Sequence, residues 1–259
     1  MRPFRPSGPL RIFLVLAVGL AACGGSGPDP GEPIDPPAQT EGEEPTPTEE
    51  PTGEEQAGEP PSPEALEGEA WDGPPLNGAA AELAVVGVAA DDVLHVRAGP
   101  GVGQDVVAEL GPLATGVRAT GAARQLPESI WLEVEVDGTT GWVSSAFLAF
   151  LGATDDITAQ LLEQAGERPS AATLVELAEA VAALRASDDS LSRVTISAGP
   201  DVGDLGEVTV DVVGLGDDSV FAERLVVFAT EDDSGDGFTL RTVEATTFCA
   251  RGVSGELCV

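Results

Sequence analysis

One histidine, His95, supplies the only imidazole in 259 residues, so Ser-His-Asp or Cys-His nucleophilic chemistry would have to run through it. It follows Leu94 in a stretch where apolar residues alternate, which turns it away from the core face and describes a partly exposed surface histidine. Lysine is absent, and with it Schiff-base and lysine-base chemistry. The 45 acidic residues could supply the carboxylate pair a glycosidase needs. No spacing singles out such a pair, though, and a chain without tyrosine and with few aromatics is poorly equipped to line a sugar cleft. Gly99-Pro100-Gly101 leads into a turn, whereas a phosphate-cradling loop would open a helix. Asp232-Asp233-Ser234-Gly235-Asp236-Gly237 begins like a calcium loop. The bidentate glutamate that loop requires at its twelfth position is Val243, and no helix flanks the run, so it reads as an acidic hairpin turn. No enzyme, metal or cofactor is expected.

The elements that would have to position a site begin at Val93. Leu94 and Val96 alternate with His95 and Arg97, the period of a strand with one buried face. Ala98-Gly99-Pro100-Gly101 is a turn. Val106, Val107 and Leu110 form a short apolar run, and Val117 to Thr120 a further strand. Trp131 to Val136 and Gly141 to Val143 are the arms of a hairpin, with Asp137-Gly138 as its turn signal. About five short strands in some sixty residues predict a small closed barrel.

These residues resemble the bacterial SH3-like (SH3b) family. Its apolar-Asn-Val-Arg-Ser-Gly-Pro opening is matched by Leu94, Val96, Arg97, Ala98, Gly99 and Pro100, with His95 and Ala98 departing from the usual Asn and Ser. Its closing Trp-x-x-Val strand and Gly-Trp-Val are matched by Trp131, Val134, Gly141, Trp142 and Val143. The match covers about a quarter of the chain. It implies a non-catalytic binding module of the kind found in proteins acting at the bacterial cell wall. Ligand contacts are then expected at Arg97, Gly99, Trp131 and Trp142, although both tryptophans would serve equally as barrel core.

Residues 1–22 read as an export signal: Arg2, Arg5 and Arg11, then an apolar run from Ile12 to Leu20 too short to span a bilayer stably. Leu20-Ala21-Ala22-Cys23 resembles the lipobox of bacterial lipoproteins, which implies cleavage before Cys23 and its acylation. Several acyl chains anchor stably where one does not, at about 0.8 kcal/mol per buried methylene. The expected location is the cell membrane, lipid-anchored, on the extracytoplasmic face. Residues 23–82 are expected to be a disordered tether. From Gly24 to Glu82 they hold 13 of the 21 prolines and 16 of the 45 acids without one Lys or Arg, too little apolar surface to offset ordering entropy. Such a spacer reaches about 40 Å as a coil and about 180 Å as polyproline II. Trp71, near its end, is expected to pack on the folded part.

Loss of the three signal arginines takes the net charge from −33 to −36. No region is basic, which argues against nucleic acid and against charge-driven docking onto anionic lipid or wall polymers.

From residue 152 the pattern turns helical. Asp155 and Asp156 stand at a helix N-terminus, with Ile157, Leu161 and Ala165 on one face. Ser170 is placed to cap a second helix, whose Leu174, Leu177, Val181 and Leu184 form an apolar stripe expected to cover a sheet. The period then becomes two: Val194 and Ile196; Val208, Val210 and Val212 alternating with Glu207, Thr209 and Asp211; Leu225 to Phe228; Phe238 to Val243. Cys249 and Cys258, the cysteines left once Cys23 is acylated, are expected to pair in an oxidising compartment. The expected fold class is an all-β SH3-like barrel (83–151) plus a small α+β domain of two helices and about four antiparallel strands (152–259), after the tether. The expected function is a non-catalytic, membrane-anchored lipoprotein whose barrel binds cell-wall peptide (peptidoglycan) or a protein partner. The alternatives are an adaptor docking an exported protein through the C-terminal domain, and a carboxylate-dependent wall hydrolase.

Overall fold

The computed structural model describes residues 66–71, 82–188, 190–232 and 234–259; the export signal, Cys23 and most of the expected tether lie outside them. The described chain is mostly strand, with two helices. A six-stranded antiparallel sheet comprises β1 (Glu69–Ala70), β3 (Leu94–Arg97), β4 (Val106–Leu110), β5 (Arg118–Leu126), β6 (Ser129–Val136) and β7 (Thr139–Ser144). Their order is β1-β5-β6-β7-β3-β4. A second sheet runs β10-β11-β12-β13-β8-β2, built from β2 (Leu83–Val85), β8 (Leu148–Asp156), β10 (Arg193–Val202), β11 (Gly206–Val213), β12 (Val220–Glu231) and β13 (Phe238–Cys249). The short β9 (Ser170–Ala171) pairs with β13, and β14 (Val253–Ser254) with β15 (Leu257–Cys258). The helices are α1 (Thr158–Ala165) and α2 (Leu174–Ala183).

Local chemistry explains these elements. In β3, Leu94 and Val96 are buried and His95 and Arg97 half-buried, as their alternation requires. Asp137 and Gly138 both take positive φ, +49° and +81°, as a two-residue hairpin turn demands. Gly141 is obligatory for another reason: a Cβ there would stand 2.6 Å from Val96 Cγ1 and 2.8 Å from the Arg97 carbonyl oxygen, where β3 crosses β7.

Helix α2 buries Leu174, Leu177 and Val181 against Val208, Val210, Leu225 and Val243, covering one face of the second sheet as expected. Its cap is not Ser170, which lies in β9, but Thr173. The Thr173 hydroxyl accepts from Glu176 N–H while the Glu176 carboxylate accepts from Thr173 N–H, a reciprocal capping box. At α1, Asp156 Oδ1 accepts from Thr158 N–H at 2.9 Å. Thr158, through its hydroxyl first and its backbone second, holds that carboxyl below its ordinary range. Asp155 instead sits in β8 opposite Ala245.

Two findings were not expected from the pattern. Strand β8 runs unbroken through residues 151 and 152, pairing with β2 at Leu148–Phe150 and with β13 from Phe150 onward. Alternate residues of this ribbon enter different cores. Leu83, Val85, Leu148 and Phe150 pack under the first sheet, and Ala84, Val86 and Ala149 pack with Val213, Ala222 and Phe248. Residues 66–71, within the expected spacer, are ordered on the β5 edge: Glu69 and Ala70 pair with Gln125 and Arg124, and Trp71 N–H donates to the Ala123 carbonyl. Leu66 and Trp71 are half-buried at either end, which supplies the apolar footing the acidic spacer lacks. Trp71 packs on the folded part, as expected.

Opposite the helices, the second sheet buries an ion pair against the first part of the chain. Asp211 is fully inaccessible. Its Oδ1 accepts from Arg224 Nε at 2.7 Å and its Oδ2 from Arg224 Nη2 at 2.9 Å and from Gly87 N–H at 2.7 Å. Arg224 Nη2 also donates to the carbonyls of Val85 and Pro112, and the guanidinium lies 5.2 Å from the Phe248 ring centroid. At the end of α2, Arg185 forks onto Glu223; these hydrogen bonds raise the guanidinium further above its ordinary range. Cys249 and Cys258 stand at disulfide distance, with Cα atoms 5.1 Å apart, closing the C-terminal hairpin onto β13.

Candidate functional site

The first sheet has two faces. Leu132, Val134 and Val143 face the apolar core. The opposite face carries two cross-strand rows, Arg124–Trp131–Ser144 and Glu133–Trp142–Arg97. Both tryptophans are therefore on the non-core side, yet both are buried, at 4% and 3% exposure. Arg97 joins them by the simple alternation of β3, opposite Trp142, while the extra residue of the β3–β4 pairing, Val107, falls on β4.

A cleft of about 470 Å³ opens beside Trp131, a size typical of small-ligand sites. Its floor and walls include Arg97, His95, Trp131, Ser129, Ser144 and Phe147. The 87–93 segment and Thr195 of β10 close its far side, with Asp92 among them. Of the four residues expected to contact ligand, Arg97 and Trp131 meet here. Trp142 lies one row away, and Gly99 sits buried in the turn with its Cα toward the Gln104 side chain. Gly101, in the same turn, faces the Glu67 carboxylate: a Cβ on it would be 3.1 Å from Oε2.

The polar groups of the cleft form a directed set. Arg97 Nη1 donates to the Gln104 carbonyl at 2.7 Å, pinning the 98–105 loop. Arg97 Nη2 faces His95 Nδ1 at 3.3 Å, so Nδ1 accepts and the neutral ring keeps its proton on Nε2. Nε2 stands 3.6 Å from Glu109 Oε1. Trp131 Nε1 donates to Ser129 Oγ at 3.0 Å, and Ser144 Oγ accepts from Ala146 N–H at 3.4 Å. Asp92 Oδ1 accepts from Val93 N–H. Among the described residues no carboxylate comes within ion-pair distance of Arg97, and no serine, threonine or cysteine hydrogen-bonds His95. The cleft thus brings a cation and two serine hydroxyls together beside an aromatic side chain.

The remaining residues of interest sit apart. The Asp232 turn joins β12 to β13, where Asp232 Oδ1 accepts from Thr239 Oγ1 at 2.8 Å. Among the described residues no three His, Cys, Asp or Glu side chains converge as a metal site, and no helix is long and apolar enough to cross a membrane. Sequence reasoning did not single out Ser129, Ser144 or Phe147 for this cleft. Trp131-Ile130-Ser129 carries a detectable signal, a serine two positions before a tryptophan on the same strand face. The contributions of Thr195 and the 87–93 segment depend on long-range packing that no local spacing encodes. No protein-family model, curated protein or solved structure matches the chain.

Proposed function

We propose that this chain is an extracytoplasmic, lipid-anchored binding protein, acylated at Cys23, whose first sheet is an SH3b-like barrel that holds cell-wall peptide or an exported protein partner. The reading rests above all on the cleft that gathers Arg97, His95 and Trp131 on the face of that sheet turned away from the core. Its polar set is suited to orienting a ligand, and the role proposed for it is a non-catalytic one. The acidic, proline-rich stretch before residue 66 is the spacer that carries the cleft away from the membrane.

The test is retention of the full chain, in nonionic detergent, on purified wall sacculi. Ala89→Trp, which fills the cleft from its far wall, is expected to weaken retention by at least about tenfold, since one blocked contact set is worth about 1.4 kcal/mol or more. Equal retention by this variant would move the binding surface elsewhere. No retention of the native chain would exclude the wall as the partner. Mass spectrometry of the membrane-bound chain checks the acyl group on Cys23.

A further inference from the structure

We infer that the Arg97–Trp131 cleft recognises its ligand by a free carboxylate, the C-terminal end of a short peptide with small apolar side chains. This rests on the reading of the cleft as a binding site and adds what it binds.

A guanidinium has five N–H groups, and Arg97 commits one to the Gln104 carbonyl and one to His95 Nδ1. Three remain, including one on each terminal nitrogen. Indole Nε1 can only donate, so Ser129 Oγ is an acceptor toward Trp131, and its own proton has no acceptor among the described residues. Ser144 is in the same position: its oxygen accepts from Ala146 N–H and its proton is unclaimed. Trp131 and Ser144 are direct cross-strand neighbours, and Arg97 lies in the adjoining row. The floor therefore offers N–H and O–H protons around a fixed cation. The one acidic side chain lining the cleft, Asp92, has an oxygen taken by Val93 N–H.

A carboxylate satisfies this set with its two oxygens, and Arg engages it bidentately in a way a neutral amide cannot match. Apolar surface is supplied by Trp131, Phe147 and the exposed Val102. The volume of about 470 Å³ suits two or three small residues. The chain's large negative charge opposes any anion at long range, but at physiological salt that field is screened beyond about 8 Å. Recognition is therefore a short-range matter of the floor itself.

Calorimetric titration of the full chain in nonionic detergent tests the inference with four probes: acetyl-alanyl-alanine as the L,L and D,D free acids, and the C-terminal amide of each. The free acid of one enantiomer is expected to bind with a Kd of about 1 mM or better, and its amide at least about tenfold more weakly. Preference for L,L identifies a protein terminus as the source of the carboxylate, and preference for D,D a wall peptide. Arg97→Gln is expected to reduce binding of the acid to the level of the amide. Because Arg97 also pins the 98–105 loop, Ser144→Asp provides the second arm: aspartate keeps the cap on Ala146 N–H but sets a negative charge on the floor. It is expected to bind the acid at least about tenfold more weakly than Ser144→Asn, which keeps the cap and an N–H donor without the charge. Equal binding of acid and amide, or undiminished binding by Ser144→Asp, overturns the inference. So does the absence of any probe binding up to about 10 mM. If sacculi still retain the chain in those cases, the wall-binding reading stands without it; selective binding of the acid with no retention on sacculi leaves the inference standing and excludes the wall.

Discussion

Replacing Arg224 by methionine removes the cation from the most deeply placed charge in the described chain. Methionine keeps most of the side-chain volume beside Phe248, so the change is chiefly electrostatic. Asp211 is left with no exposure and a single remaining donor, Gly87 N–H at 2.7 Å. Breaking a buried pair by removing one partner costs about 3–5 kcal/mol. The carbonyls of Val85 and Pro112 lose their donors at the same time, each worth about 1–3 kcal/mol if nothing replaces it. These terms overlap, because one relaxation serves them all, and an expected loss of about 4 kcal/mol is a large share of the total stability of an ordinary domain. In urea that is a midpoint shift of roughly 1.3–2 M for a slope of about 2–3 kcal/mol/M.

The double variant Asp211→Leu/Arg224→Met discriminates further. An apolar replacement of a buried pair is often neutral, but here Gly87 N–H and the two carbonyls stay orphaned, so the double variant is expected to lose about 3–5 kcal/mol, well short of the sum of the singles. The assay reads the two parts of the chain separately. All three tryptophans precede residue 152, so their fluorescence reports the first part, while far-UV circular dichroism at the helix band follows α1 and α2 in the second. Coincident transitions are expected in the native chain and separated ones in Arg224→Met. A loss below about 1 kcal/mol, or strictly additive singles, would refute the reasoning.

Reducing the Cys249–Cys258 bond, or replacing Cys258 by serine, is expected to cost about 2–3 kcal/mol, read as a lower thermal midpoint with and without reductant. Gly141→Ala places its Cβ 2.6 Å from Val96 Cγ1 and should destabilise by about 1–3 kcal/mol in denaturant titration. Thr173→Ala removes one half of the α2 capping box and is expected to cost about 1 kcal/mol, with helical dichroism lost first. Asp217 is held below its ordinary 3.8 by the Ser219 backbone N–H first and its hydroxyl next, so the stability it supplies is present above that value and lost as pH falls through the lower folded one. Asp217→Asn should therefore flatten the acid limb of a thermal midpoint curve, lying below the native chain at neutral pH and converging with it below about pH 4.

How much of this was legible can be judged from single positions. The alternation of Leu94, His95, Val96 and Arg97 gives the buried face of β3 directly, since period two and a single apolar side admit one solution. Leu174, Leu177 and Val181 likewise declare the face of α2. Asp211 shows where such reasoning stops. In Val208-Thr209-Val210-Asp211-Val212 the polar residues mark a solvated face, but Thr209 and Asp211 are both buried, because the other part of the chain covers that side. Only the β11–β12 register, which sets Asp211 opposite Arg224, explains how the charge is tolerated. Ser170 and Thr173 both had the chemistry of a cap; the glutamate three residues after Thr173 decides between them, and Ser170 is drawn into β9 instead. For the cleft, Arg97 and Trp131 could be named in advance, whereas its far wall arrives from Thr195, about a hundred residues away in sequence, through β10.

The ribbon of β2 and β8 constrains how such a chain could be assembled from interchangeable pieces, in the laboratory or over time. Its odd and even side chains serve separate cores, so a cassette lifted out at a loop would leave one of them with a missing wall. A graft that works must carry Leu83–Val85 and Leu148–Phe150 together with whichever sheet it moves, and the recipient must already own a surface shaped to take the other side.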